Sequence, residues 1–253
     1  MTKDVLQFQN EQGEAQLRLV PERSDLAGHS VIDRQFVNFN FLRISPEWRK
    51  IDADSKRIYK AEFASVFDSF AKDLLLFTYS LVGFDARADL MFWRVGTSLD
   101  MVQEMTAQLF GTKLGSYLET VDNYLSFTKR MMFVIDQAED RQRVKAGTGK
   151  YHFFYPCAKP DNLQAMSIDE RDTMIEENFM VGKKFPNIKI HLTHAFGFTE
   201  SEYLLSFETN EPRDFLALSD ELRQTTGGKI NSFGMPVYTC RQRSLMDCLD
   251  ALG

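Results

Sequence analysis

The sequence predicts an α+β fold of tandem duplicated ferredoxin-like halves, and three observations carry that prediction. Residues 35–135 run strand, helix, strand, strand, helix, strand, which is the ferredoxin-like order. The same order recurs from residue 150 onward. Between the two runs lies DQAEDRQRVKAGTGK (136–150), a highly charged segment ending in Gly-Thr-Gly, which is linker composition. These features divide the chain into an N-terminal arm (1–34), a first half (35–135), a linker (136–149) and a second half (150–253).

Taken in order, the arm is polar and weakly periodic, with one short strand expected at Gln16–Val20. From Gln35 the pattern QFVNFNFLRI alternates Phe39 and Phe41 with Asn38 and Asn40, as a half-buried strand does, and Ser45-Pro46 closes it. A helix follows from about Asp54 to Lys72, its core face formed by Ile58, Phe63, Val66, Phe67 and Phe70 at three- and four-residue spacing. LLLFTYSLVGF and ADLMFWRVG read as strands joined by a turn at Asp85-Ala86-Arg87. Ser98 is an N-cap for a helix that turns Leu99, Val102, Met105 and Leu109 inward, and TVDNYLSFTKR is the fourth strand.

In the second half KYHFFYPCAK, SIDERDTMIEENFMVGKKF, IKIHLTHAFGF, SEYLLSFET, EPRDFLALSDELRQ and GMPVYTCRQ repeat those elements in the same order. A constant shift of 114 places Phe39 on Phe153, Gly83-Phe84 on Gly197-Phe198, Leu90 on Leu204, Trp93 on Phe207 and Met101 on Phe215. Each half is then a four-stranded antiparallel sheet with helices on one face, and the bare face needs cover. Two such sheets pair face to face or close a barrel, and a barrel interior lined from both halves is the expected ligand pocket.

Composition narrows the function. With 43% hydrophobic and 26% charged residues, and 22 Phe against 2 Trp, the chain has the material for a phenylalanine-rich core. A net charge of −6 and a pI near 5.3 argue against nucleic acid as a partner, because phosphate contacts need clustered Lys and Arg. The N-terminus lacks a secretory signal pattern, and no apolar run is long enough to span a bilayer. Cys157, Cys240 and Cys248 are too widely spaced for a disulfide framework or a CxxC zinc site, so reduced thiols and a cytoplasmic location are expected.

ADLMFW (88–93) followed by LFGTKLGSYL (109–118) resembles the chlorite dismutase and coprohaem decarboxylase superfamily. YPCAK (155–159), DERDTMIEENFMVGKKF and the strand ending in Ala195-Phe-Gly-Phe extend the resemblance over nearly all of the chain from Phe36. The resemblance implies a tandem ferredoxin-like pair forming a dimeric α+β barrel, assembled as a homo-oligomer, commonly a pentamer. It also implies haem b in the chlorite dismutases or coprohaem in the decarboxylases. Carried over residue by residue, Tyr155 falls on a redox-active tyrosine and Lys159 on a propionate-binding lysine. Asn178 falls on the proximal histidine, and Ile190 on the distal arginine or glutamine, or His191 with a one-residue slip. Haem iron needs a strong axial donor and a carboxamide is a poor one, while chlorite needs a cation to hold its charge. Neither requirement is met at these positions.

The remaining candidates each have a plainer reading. His191 and His194 lie three apart on one strand and so face opposite ways, His194 with Ile188, Ile190 and Leu192, and His191 with Lys189 and Thr193. Either imidazole could replace the absent axial ligand, though a hydrogen-bonded structural histidine is the commoner case. His152 reads as structural. Tyr155 is equally read as a core tyrosine with its hydroxyl satisfied, and Lys159 as a solvated loop lysine. Asp169, Glu170, Asp172, Glu176 and Glu177 suit a helix N-terminus and a solvated face, and Lys183 and Lys184 suit its C-terminus. Arg223 falls near the basic rim of the family pocket.

These readings give a family member that binds no haem, or binds it weakly, and that acts through a ligand or protein partner. The alternative is a haem- or coprohaem-dependent oxidoreductase of peroxidase or decarboxylase type using His194 or His191.

Overall fold

The computed structural model describes residues 17–19, 35–128, 133–135, 149–158, 167–196, 201–230 and 238–253. Lys159, the expected linker up to residue 148, most of the arm and the Gly197-Phe198 pair lie outside the described residues.

The elements follow in chain order. The first half comprises β1 (Leu17–Leu19), β2 (Phe36–Ile44), α1 (Ala53–Ser69), β3 (Leu75–Ser80), β4 (Leu90–Gly96), α2 (Leu99–Gly111), β5 (Leu118–Phe127) and β6 (Phe133–Ile135). The second comprises β7 (Tyr151–Ala158), α3 (Ile168–Lys183), β8 (Lys189–Ala195), β9 (Ser201–Thr209), α4 (Pro212–Gln224), α5 (Thr226–Ile230), β10 (Tyr238–Gln242) and α6 (Leu245–Asp250). Local chemistry sets their ends. Asp52 accepts from the Ser55 N–H at the start of α1, and Ser98 accepts from the Met101 N–H at the start of α2.

Eight strands close one barrel in the order β10-β3-β4-β2-β5-β8-β9-β7, and β1 pairs with β6 apart from it. This is the expected α+β barrel of two ferredoxin-like halves. Two seams join the halves. β5 meets β8 through Ser126↔Ala195 and Phe127↔His194, and β10 meets β3 through Arg241↔Ser80 and Gln242↔Tyr79. Seams this short contribute few ladder bonds, so closure rests mainly on what fills the barrel.

That interior is packed and is not the ligand pocket expected from the sequence. Val37, Phe39, Phe41, Tyr79, Met91, Trp93, Val95, Phe154, Leu204, Tyr238 and Cys240 fill it, with Phe41 stacked on Tyr238 at 3.9 Å and Phe39 on Trp93 at 5.6 Å. Each fully buried large apolar side chain contributes about 1.5–3 kcal/mol. A cleft of about 510 Å³ lies instead outside the barrel, where Phe67, Leu76, Thr78 and Arg243 line it.

Three sequence expectations change. β2 is buried on both faces, because Asn38 and Asn40 lie under α2 and bond there. Arg94, 2% exposed, donates to Asn38 Oδ1 (2.6 Å) and Thr106 Oγ1 (2.7 Å), and Asn38 donates to Asn123 Oδ1 (2.8 Å). Ile58 is 59% exposed, so the core stripe of α1 runs through Phe63, Phe67 and the following Phe70, with half-buried Val66 packed against them. The repeat, finally, does not hold one shift of 114. Phe39 and Trp93 face the barrel interior, whereas Phe153 and Phe207 face the helices, stacked on or packed against Phe215 of α4. A one-residue slip in a strand reverses every side chain. Odd shifts restore the faces: 113 sets Phe92 on Leu205 and Trp93 on Ser206, and the ladder pairing then requires 115 from β2 to β7, with Phe39 on Phe154. The shift of 114 survives in β3 and β8, where Phe77 pairs with Trp93 as His191 pairs with Ser206.

The helices confirm 113. In α2 the Thr112 hydroxyl donates to the Leu109 carbonyl (2.7 Å) and accepts from the Gly115 N–H (3.0 Å). Thr225 repeats this with Leu222 (2.7 Å) and Gly228 (2.9 Å).

Candidate functional site

The family-pocket positions lie between the outer face of the β7–β9 sheet and α3, α4 and α5. Tyr155 projects from β7 toward α4. It is 4% exposed, its ring edge-on to Phe207 at 5.8 Å and 6.0 Å from Phe215. Burial pushes its phenol up, while the Ser219 hydroxyl and the Arg223 charge act the other way. Tyr155 and Arg223 are therefore brought together by α4. Arg223 is solvent-exposed, with its guanidinium 3.5 Å from Asp220.

Asn178 is drawn away from the sheet. The Thr225 hydroxyl donates to its Oδ1 at 2.7 Å, sharing one proton with the Leu222 carbonyl, and the Thr226 N–H donates to the neighbouring Glu177 at 2.7 Å. α5 comes this close because residue 227 is glycine. A Cβ there would stand 2.6 Å from Asn178 Nδ2 and 2.8 Å from Met174 Cγ. The carboxamide thus has its oxygen bonded to Thr225 and its nitrogen against α5. This donor set does not fit axial ligation of haem iron from α3, since no strong donor at position 178 is directed at the sheet.

Ile190 stands on the outer face of β8, 41% exposed, and a Cβ on Gly182 would touch its Cδ1 at 3.3 Å. His194 shares that face, half-buried, its ring 6.0 Å from Phe127 across the β5–β8 seam. His191 points the opposite way, into the barrel, as its alternation predicts.

There it joins a group that sequence reasoning did not assemble. Glu208, 1% exposed, lies with Oε2 3.1 Å from His191 Nε2 and Oε1 3.9 Å from His152 Nδ1, and it accepts from the Tyr79 hydroxyl at 3.3 Å. Burial pushes this carboxyl up, but the two imidazoles outweigh burial and bring it down to about 2. Burial depresses His152, which is fully enclosed, with Glu208 opposing. The signal was available in the repeat. At the corrected shifts, His152, His191 and Glu208 occupy the places that Val37, Phe77 and Val95 hold in the first half, so the fold itself does not require polar groups there.

Among the described residues, no cluster of His, Cys, Asp or Glu has metal-holding geometry, and no helix is long and apolar enough to cross a membrane.

Known proteins bear on these positions. The chain is 22% identical over 186 residues to a chlorite dismutase of Ideonella dechloratans, covering 70% of this chain and 65% of that one, so it spans slightly less than two thirds of the relative. It is 26% identical over 160 residues to a coproheme decarboxylase of Oceanobacillus iheyensis, covering 57% and 64%. A variant of chlorite dismutase from Candidatus Nitrospira defluvii has a similar structure, with a TM-score of 0.78 at 22% identity over 86% of this chain and 94% of that one. A haem-binding protein from Thermus thermophilus has a TM-score of 0.75 at 17% identity, over 87% and 95%. The family model described as chlorite dismutase matches residues 56–243, well over half of the sequence, and the chain belongs to that family.

Proposed function

We propose that this protein is a family member that has given up iron ligation from α3, binding haem weakly or not at all, and that it serves as a ligand- or partner-binding protein and not as a chlorite dismutase. The observation that carries this reading is the fate of Asn178, a poor axial donor whose carboxamide is held by Thr225 and Gly227. Ile190 supports it, because an alkyl side chain offers chlorite no charge and no hydrogen bond. The binding surface in this reading is the outer face of the second half, where Ile190, His194 and Arg223 reach solvent beside the buried Tyr155. Lys159, outside the described residues, falls in sequence on the family's propionate-binding lysine. A cytoplasmic homo-oligomer, a pentamer by family resemblance, completes the proposal, and light scattering on the purified protein checks the assembly.

The names of the relatives favour a second reading, a haem or coprohaem oxidoreductase with another axial ligand. His191 is a poor candidate, since its imidazole is engaged with Glu208 inside the barrel. His194, on the outer face, is the remaining one. Titration with haemin and with coprohaem separates the readings. We expect no saturable Soret shift at micromolar porphyrin. Stoichiometric binding with a peroxide-reactive spectrum, abolished by His194→Ala, establishes the second reading instead.

A further inference from the structure

Every buried side-chain nitrogen or oxygen without a hydrogen-bond partner among the described residues lies in one place. These atoms are Trp93 Nε1, both ring nitrogens of His152 and Ser206 Oγ, all within the barrel and grouped about Glu208. A native interior leaves few such atoms unpaired, so their concentration marks a locus that does more than fill space. Metal-holding geometry is absent there, and what remains is proton chemistry.

The cluster is bounded on every side. β7 contributes His152, β8 His191 and Thr193, β9 Glu208 and Ser206, β3 Tyr79, β4 Trp93, β2 Phe39 and β10 Cys240. Cys240 is fully buried, its thiol pushed well up by burial and so neutral. Tyr79 is neutral too, raised by burial and by the adjacent carboxylate. No lysine or arginine joins the group among the described residues. Its charge state is therefore set by one carboxylate and two imidazoles. The His152 ring stands 5.0 Å from Tyr79, 5.0 Å from Trp93 and 5.9 Å from Phe39, so three aromatic rings of the first half wall in a histidine of the second. The His191 ring meets Trp93 at 5.2 Å.

The Glu208 carboxylate is held 3.1 Å from His191 Nε2 but 3.9 Å from His152 Nδ1, beyond hydrogen-bond reach. A proton on His152 therefore leaves the interior with a positive charge enclosed by aromatic rings and without a hydrogen-bonded partner, and such a charge is costly to hold out of water. The strain falls on the contact between the halves at the barrel wall, where the seams hold only two residue pairs each. We propose that Glu208, His152 and His191 form an acid-sensitive latch that keeps the barrel closed at neutral pH and loosens the two seams when His152 takes up a proton. The corresponding positions of the first half carry Val37, Phe77 and Val95, all apolar.

Amide hydrogen exchange on the full chain tests this at pH 7.5 and pH 5.0, with rates corrected for intrinsic exchange. The probes are the seam amides of Phe196, which donates to the Leu125 carbonyl at 3.1 Å, and of Arg243, which donates to the Thr78 carbonyl at 3.2 Å. In the unmodified protein these are expected to lose about tenfold or more in protection at pH 5.0, while core amides of β2 and β4 keep theirs. The combined variant His152→Phe, His191→Phe, Glu208→Val is expected to show no pH-dependent loss at the seams. If that variant does not fold, His152→Phe alone carries the comparison, since it removes the enclosed imidazole and leaves the Glu208–His191 pair. Seams that stay protected at pH 5.0 in the unmodified protein overturn the proposal. So does equal loss in the variant that lacks the imidazoles.

Discussion

Asn178 illustrates how one side chain's role depends on the residue opposite. Its carboxamide is satisfied by Thr225, and Gly227 lets α5 approach closely enough for that bond to form. Replacing Asn178 with Ala is expected to cost about 1 kcal/mol, the net worth of one partly buried hydrogen bond, measured by urea unfolding. Gly228 is a harsher position. A Cβ there would lie 1.8 Å from the Leu222 carbonyl oxygen, and one at the equivalent Gly115 would lie 1.9 Å from that of Leu109. Gly228→Ala and Gly115→Ala are each expected to destabilise by about 3 kcal/mol, because backbone must move. Much at this scale was readable beforehand, including the Ser98 cap and the opposite facing of His191 and His194. The Glu208 cluster was not. Its members are distant in sequence, and a glutamate near the end of a strand looks like a solvated terminus until the opposite sheet is known to cover it.

At the scale of elements, the last helix belongs to the core of the first half. Cys248, Leu249 and Leu252 pack with Phe63, Phe67, Phe92 and Trp48, and Lys60 reaches Asp250 at 3.1 Å. Trp48, fully buried in the short 3₁₀ turn Pro46–Lys50, donates its indole N–H to the Gly253 carbonyl at 2.8 Å. Leu249→Ala is expected to cost about 2–5 kcal/mol by chemical denaturation, with the loss centred on β2, β4 and α1 in hydrogen exchange. None of this was legible in the sequence, because the partner of α6 lies some two hundred residues away and no local pattern names it. The repeat was legible in outline and misread in register. Aromatic residues are so frequent that a shift of 114 sets Phe39 on Phe153 and Trp93 on Phe207, size matching size, while the side chains face opposite layers. Alternation within a single strand shows that there are two faces, and only cross-strand contacts show which one looks inward.

For the whole molecule, the titrations of the barrel centre set the pH dependence of folding. His152 is depressed from 6.5 in the fold, so the unfolded chain takes up a proton that the folded chain refuses as pH falls below that value. Glu208 drops from 4.5 to about 2, so its contribution is complete above 4.5 and is lost as pH falls toward 2. Both act in one direction. The urea midpoint is expected to be level above pH 7 and to fall from about pH 6.5 downward, and a rise on acidification would contradict the assignment of His152 as neutral. At pH 7.5 unfolding is expected to follow a single transition by fluorescence and circular dichroism, since α6 and the barrel interior bind the halves into one cooperative unit. The barrel architecture carries a further consequence for how copies of the chain meet. Each of its eight described strands has a neighbour on both sides, but β5–β8 and β10–β3 pair over only two residues each, so the open edges among the described strands lie beside those seams and on the three-residue β1 and β6. Strand addition by another chain is thereby directed to the seams, and over the rest of the barrel copies can meet only through side chains.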